Sequence, residues 1–98
     1  EGWSASGLWT GIRMSDLLDQ VGAPRGHDVR IESLQASGHY RLTTLPAHFA
    51  EDDQALLALS LNGEPLSLDH GYPCRLMVPN RPGVLQTKWV GRIEVVTT

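Results

Sequence analysis

The chain has 98 residues, of which 41% are hydrophobic and 19% are charged, a length and composition typical of one soluble globular domain. Its formal net charge of −3 at pH 7 gives no electrostatic basis for binding nucleic acid or an anionic membrane. No apolar run approaches the ~18 residues that a membrane-spanning helix needs, and the single cysteine, Cys74, excludes an internal disulfide and belongs to no Cys/His metal-binding pattern.

The first part of the chain predicts an extended segment and then a short helix. Residues 1–13 are rich in Gly, Ser and Trp and are expected to be extended. Four apolar residues then have the i, i+3, i+4, i+7 spacing of an amphipathic helix: Met14, Leu17, Leu18 and Val21. Ser15 and Asp16 supply start signals for this helix, and Gly22 supplies its stop signal.

The middle of the chain predicts two strands and a second helix. Apolar and polar residues alternate over 29–32 and over 40–43, the latter with Leu42 on its apolar face, as in half-buried strands. Pro46 suits the first turn of a short helix that ends near Ala50.

The second half predicts mostly strands. The apolar run 55–61 leads into Asn62-Gly63, which indicates a buried strand that enters a tight turn. Pro65 restricts the next segment to an edge strand or a loop, and further strands are predicted over 76–78 and 92–95. Two short helices and about five strands without βαβ alternation indicate an α+β fold.

Cationic side chains gather in the last third of the chain. His70 and Arg75 lie five residues apart on either side of a Gly-Tyr-Pro turn. Arg75 lies among apolar strand residues, where an unpaired charge is costly. Its partner is therefore either an acidic side chain or a ligand anion that accepts two hydrogen bonds from the guanidinium. His70 is either a solvated turn residue or a second group on the same anion.

The segment Gln86-Thr87-Lys88 offers backbone N–H groups and one ammonium group, which together suit an anion. An exposed strand residue is the alternative interpretation of Lys88. Trp89 is expected in the core, and Cys74 is expected to be a small buried hydrophobe. The site predicted from the residues is therefore one for a phosphate-bearing ligand.

Five motifs, in this order, resemble the molybdopterin-binding domain of the sulfite oxidase family. That family includes sulfite oxidases, plant-type nitrate reductases and the catalytic subunit of periplasmic methionine sulfoxide reductase. The motifs are Trp9-Thr10-Gly11-Ile12-Arg13-Met14, Val29-Arg30-Ile31-Glu32-Ser33, Tyr40 through Pro46, Leu61 through Leu66, and His70-Gly71-Tyr72-Pro73.

The resemblance implies an α+β fold with mixed sheets and a molybdenum–molybdopterin cofactor that moves an oxygen atom and two electrons. The cofactor contacts that it implies are His70, Arg75, Gln86, Thr87, Lys88, Ser33 and Tyr40. The family's metal-ligand cysteine would precede Glu1, and Cys74 is not its equivalent. Residues 1–98 are therefore expected to be a single partial domain, which binds the pterin phosphate and does not retain the metal alone.

The resemblance also implies partners and a compartment. A small oxyanion or sulfoxide-type substrate and an electron partner such as a cytochrome or another haem protein are expected, in a periplasmic or exported bacterial enzyme. Neither nucleic acid nor a membrane is expected to contact this segment. A non-catalytic binding module that keeps the fold without the metal centre is the alternative function, and a purely structural domain is a third.

Overall fold

A computed structural model describes residues 2–4, 7–35, 41–78 and 86–96. These residues form eight strands and two short helices. The strands are β1 Gly2–Ser4, β2 Leu8–Arg13, β3 Val29–Ser33, β4 Leu42–Leu45, β5 Leu56–Leu61, β6 Glu64–Pro65, β7 Arg75–Met77 and β8 Val90–Val95. The helices are α1 Met14–Gln20 and α2 Ala47–Ala50.

The strands form two sheets. In the first sheet the order is β1-β2-β5-β6, and β7 also pairs with β5. The second sheet has the order β4-β3-β8. The α+β class is confirmed, and each pairing between described strands is antiparallel, whereas the resemblance implied mixed sheets.

Two apolar clusters cover the two faces of the first sheet. The main cluster joins both sheets and both helices, and its buried members are Met14, Val29, Ile31, Leu45, Ala50, Ala55, Leu57, Leu76, Val78 and Val90. Leu56 and Ala58 flank Leu57 on β5 and therefore point to the opposite face. There they form a second, smaller cluster with Trp9, Leu66 and Met77.

The two predicted helices are confirmed, but α1 begins before its predicted start signals and ends before Val21, which is 68% exposed and does not lie on an apolar face. Its N-cap is Arg13, which makes no capping hydrogen bond through its side chain. Instead, the first helical N–H, that of Met14, donates to the carbonyl of Ala55 at 2.9 Å. Gly22 ends the helix with a φ of +71°. No helix among the described residues has the length and apolar character to cross a membrane.

The strand predicted over 40–43 corresponds to β4, although its apolar face was assigned to the wrong residue. Leu42 is 47% exposed, whereas Leu45 is fully buried. The register explains the difference, because Leu45 lies opposite the buried Val29 and Leu42 lies opposite Glu32 on the outer face. Tyr40 lies outside the described residues.

The predicted turn after the apolar run is confirmed. Asn62 and Gly63 both have positive φ, 53° and 83°, as a two-residue hairpin turn requires. The chain then enters β6, and Pro65 lies on that strand, which pairs only with β5 among the described strands.

Candidate anion-binding site

A compact turn positions His70. The carbonyl of Ser67 accepts hydrogen bonds from the N–H groups of Gly71 and Tyr72 at 3.1 and 3.0 Å. The Ser67 hydroxyl lies 2.7 Å from Nδ1 of the His70 ring. Because this bond engages one ring nitrogen, it fixes the orientation of the imidazole. The exposed His70 ring thus has a defined direction at the end of the turn.

Arg75 begins β7 and is half-buried. The guanidinium carbon lies 5.1 Å from the ring centroid of Trp9. Within the described ranges Arg75 has no acidic ion-pair partner, and its buried Nε has no hydrogen-bond partner there. Burial lowers the pKa of the guanidinium, which nonetheless stays protonated at neutral pH. The expected acidic partner is therefore not found in this part of the chain.

The segment over 86–90 runs beside the start of β7. The Leu76 N–H donates to the Thr87 carbonyl at 2.8 Å, and the Val90 N–H donates to the Cys74 carbonyl at 2.9 Å. Thr87 is buried, and its hydroxyl has no hydrogen-bond partner among the residues described. These bonds set Lys88 next to the turn that carries His70.

Gly71 lies between the two cationic side chains. A Cβ atom at this position would lie 3.0 Å from Cβ of Arg75 and 3.4 Å from both Cβ and Cγ of Lys88. The Trp89 N–H also donates to the Gly71 carbonyl at 3.2 Å. The side chains of Arg75 and Lys88 therefore both start beside one glycine.

Ser33 supports this arrangement from β3. Its buried hydroxyl donates to the Lys88 carbonyl at 3.0 Å and accepts from the Gln35 N–H at 3.2 Å. The neighbouring Leu34 N–H donates to the Trp89 carbonyl at 2.7 Å. Ser33 thus holds the backbone that carries Lys88, and its hydroxyl is already engaged with the protein.

Of the predicted site residues, the structure brings His70, Arg75 and Lys88 to the surroundings of Gly71. Gln86 is half-buried at the start of the same segment. Thr87 follows it, with its carbonyl bonded to β7.

An open apolar hollow of about 590 Å³ adjoins the site. Its lining residues are Leu34, Gln35, Leu68, Tyr72, Pro73 and Trp89. Trp89 was expected in the core but is only half-buried. Its backbone has a φ of +56°, and its indole N–H donates to the Leu68 carbonyl at 2.6 Å, so the ring forms one wall of the hollow.

Sequence reasoning missed two contributors to the site. Ser67 precedes His70 by three residues, a spacing at which serine commonly bonds to a following turn, and that signal was available. Trp9 is 4% exposed, and its ring meets the His70 ring edge-on, with centroids 6.0 Å apart. No local pattern indicates this contact, because it arises from the pairing of distant strands.

The described residues contain no group of three or more His, Cys, Asp or Glu side chains that could hold a metal ion. The site presents the cationic side chains of Arg75 and Lys88 beside the imidazole of His70, and such groups suit an oxyanion.

Comparisons with known proteins identify relatives of this chain. Rat mitochondrial sulfite oxidase is 38% identical over an alignment of 98 residues, which covers 89% of this chain and 17% of the rat protein. Sulfite oxidase from Arabidopsis thaliana is 31% identical, with 97% of this chain and 29% of the relative covered. A barley (Hordeum vulgare) nitrate reductase [NADH] is 34% identical, with 97% of this chain and 12% of the relative covered.

A solved structure has a similar fold. The sulfane dehydrogenase SoxCD from Paracoccus pantotrophus superposes with a TM-score of 0.78 at 32% identity. The match covers 96% of this chain and 26% of the SoxCD chain. The chain thus spans between 12% and 29% of these relatives.

The family described as "Oxidoreductase molybdopterin binding domain" matches residues 1–98. With the fold and these relatives, the match shows that the chain belongs to the oxidoreductase molybdopterin-binding domain family.

Proposed function

We propose that this chain provides the pterin-phosphate-binding half of a molybdopterin site, in an oxidoreductase that transfers an oxygen atom. The observation that carries the proposal is Arg75, a half-buried cation whose Nε has no partner among the described residues. Lys88 lies beside it across Gly71. Two cationic side chains that start beside one glycine, with no described acid to neutralise them, favour an anionic ligand.

The residues fit a phosphate monoester. The guanidinium fork of Arg75 matches two phosphate oxygens at once, and Lys88 adds a point charge. Gly71 lets the two side chains start close together, because a Cβ atom at this position would crowd both of them. The unpartnered hydroxyl of Thr87 is a further polar group available on this segment.

In this proposal each residue has a separate task. Arg75 and Lys88 neutralise the phosphate. Ser67 engages Nδ1 of His70, so Nε2 is the nitrogen left for a ligand. Ser33 holds the carbonyl of Lys88 and so orients the segment over 86–90. Gln86 and Thr87 provide the remaining contacts of this segment with the pterin.

When bound, the molybdenum of such a cofactor supplies the two-electron redox chemistry, and the residues of this chain bind and orient the pterin. The relatives are named for sulfite, nitrate and sulfane. By analogy we propose a small oxyanion or another small sulfur compound as the substrate of the whole protein, with a haem protein as its electron partner.

The test is the molybdenum and pterin content of the longest native protein that carries this sequence. Arg75→Gln and Lys88→Gln should each lower pterin content severalfold, because each removes one phosphate contact. Arg92→Gln is the matched control, since Arg92 is an exposed arginine on β8. Unchanged pterin content in both site variants would overturn the proposal.

A second measurement uses the 98-residue chain itself. Lys88 is its only lysine, so acylation by an amine-reactive ester followed by mass spectrometry reports on one side chain. Inorganic phosphate should slow this acylation relative to chloride at equal ionic strength. Protection by phosphate, together with a long form that contains no molybdenum, would favour the non-catalytic binding module instead.

A further inference from the structure

We infer that Trp9 is a positioning residue, which holds the Arg75 guanidinium in place for the anion. The inference rests on the proposed function, because it concerns the same anion-binding site. It assigns a role to a residue on β2 that lies 66 positions away from Arg75 in the sequence.

The register of the first sheet makes the contact possible. Arg75 lies opposite Ala58 on β5, and Ala58 lies opposite Gly11 on β2. The strand between β7 and β2, which is β5, thus places only the methyl group of Ala58 beside the arginine. Gly11, the next residue across on β2, has no side chain. A long arginine side chain can extend over this row and reach Trp9, two residues before Gly11 on the same face.

Close packing fixes the indole. Trp9 belongs to the smaller cluster with Leu56, Leu66 and Met77, and only 4% of its surface is exposed. The guanidinium carbon lies 5.1 Å from its ring centroid, within the ~6 Å at which a cation is attracted to an aromatic face. The same ring also makes a T-shaped contact with His70. One rigid ring therefore contacts two of the proposed phosphate ligands.

Positioning matters here because an arginine side chain has many rotamers. Restricting them costs conformational entropy when the anion binds. A cation–π contact present before binding restricts them in advance. The described residues also offer no carboxylate that would compete with the anion for the guanidinium.

The test compares Trp9→Leu and Trp9→Phe in the 98-residue chain, with inorganic phosphate as the probe and Lys88 acylation as the readout. Trp9→Leu should weaken phosphate protection about fivefold, a typical effect for loss of one cation–π contact. Trp9→Phe keeps an aromatic face and should recover part of the loss. Leu66→Ala in the same cluster is the control, and it should lower the thermal midpoint and leave phosphate protection unchanged.

A double-mutant cycle separates this role from a general loss of packing. In an Arg75→Gln background, Trp9→Leu should weaken phosphate protection no further, because Trp9 acts through Arg75. A full additional loss in that background would overturn the inference. If Arg75→Gln itself has no effect, the proposed function fails. If Arg75→Gln weakens protection and a folded Trp9→Leu does not, only the positioning role fails.

A measurement on the unaltered chain covers the case in which neither Trp9 variant folds. With ¹⁵N-labelled arginine, the Nε–H resonance of Arg75, assigned with Arg75→Gln, should be shifted by the indole ring current and should move when phosphate is added. An unshifted resonance would overturn the inference.

Discussion

At Gly71 the backbone has a φ of +116°, a conformation that residues with a Cβ rarely adopt. A Cβ atom at this residue would also crowd the first side-chain carbons of Arg75 and Lys88. Both the backbone conformation and the closeness of the neighbouring side chains therefore require glycine at this position.

Gly71→Ala should lower the free energy of unfolding by about 2 kcal/mol, because the added methyl is strained in this conformation and crowds Arg75. Gly22→Ala is the matched control, since Gly22 also has positive φ but no atom within 4 Å of an added Cβ. It should cost about 1 kcal/mol. Urea unfolding measures both, and equal losses would contradict the crowding.

Cys74 is half-buried, and its thiol lies 3.5 Å from the Val90 carbonyl, to which it donates. Burial raises the pKa of the thiol. Since the thiolate is the reactive form, Cys74 should react with Ellman's reagent at pH 8 more slowly in the folded chain than in urea. Equal rates in the two states would contradict a buried thiol.

The same shift predicts a pH effect on stability. A group whose pKa is raised by folding contributes stability that is fully present below its unfolded pKa, about 8.5 for cysteine. That contribution is lost as the pH rises above this value. Cys74→Ala should therefore reduce the fall in unfolding free energy at alkaline pH. Urea unfolding at several pH values measures this, and the same pH dependence in both chains would refute a raised pKa for Cys74.

At the residue scale, the sequence predicts those site members that are close in the chain or chemically distinctive. His70 and Arg75 share one turn, and Lys88 is the only lysine, so composition and spacing are enough to single them out. The contacts of Trp9 and Ser33 depend on which strands pair. That information is not contained in any local pattern.

Among the elements, β4 shows how a strand can be predicted while its buried face is not. A pattern of period two fits either face equally well over four residues, and a shift of one position exchanges them. Helix α1 shows a related limit, because its start is set by the bond from Met14 to Ala55 and not by a capping side chain.

The burial of Leu45 and the exposure of Leu42 on β4 lead to a direct prediction. Leu45→Ala should lower the free energy of unfolding by roughly 2–5 kcal/mol, because it removes fully buried methyl groups from the main cluster. Leu42→Ala, on the exposed face of the same strand, should cost less than about 1 kcal/mol. Urea unfolding distinguishes the two, and a larger loss for Leu42 would contradict the register.

At the scale of the whole molecule, the α+β class follows from the order of short helices and strands, whereas the division into two antiparallel sheets does not. The apolar hollow beside the site was also not predicted. It depends on Leu34, Leu68 and Tyr72, each more than half exposed, which are distant in sequence and meet only in the fold. Exposed apolar residues grouped in this way differ from single ones, because a contiguous patch can bind apolar molecules.

Leu68→Gln should therefore reduce the fluorescence of the dye ANS bound to the folded chain, while it changes the free energy of unfolding by less than about 0.5 kcal/mol. Leu68 is 69% exposed and lines the hollow. Leu8→Gln is the control, since Leu8 is also exposed but lies outside the hollow. The same decrease in both variants would show that the hollow does not bind the dye.

The hydrogen bonds from Ser33 and Leu34 to the backbone of Lys88 and Trp89 have a consequence for biosynthesis. A ribosome adds Ser33 and Leu34 before it adds Lys88 and Trp89, so these hydrogen bonds cannot form until the segment over 86–90 has been synthesised. Contacts between such distant positions form late, once the chain between them has folded. A ligand that these residues hold can therefore bind only after the segment over 86–90 has been translated.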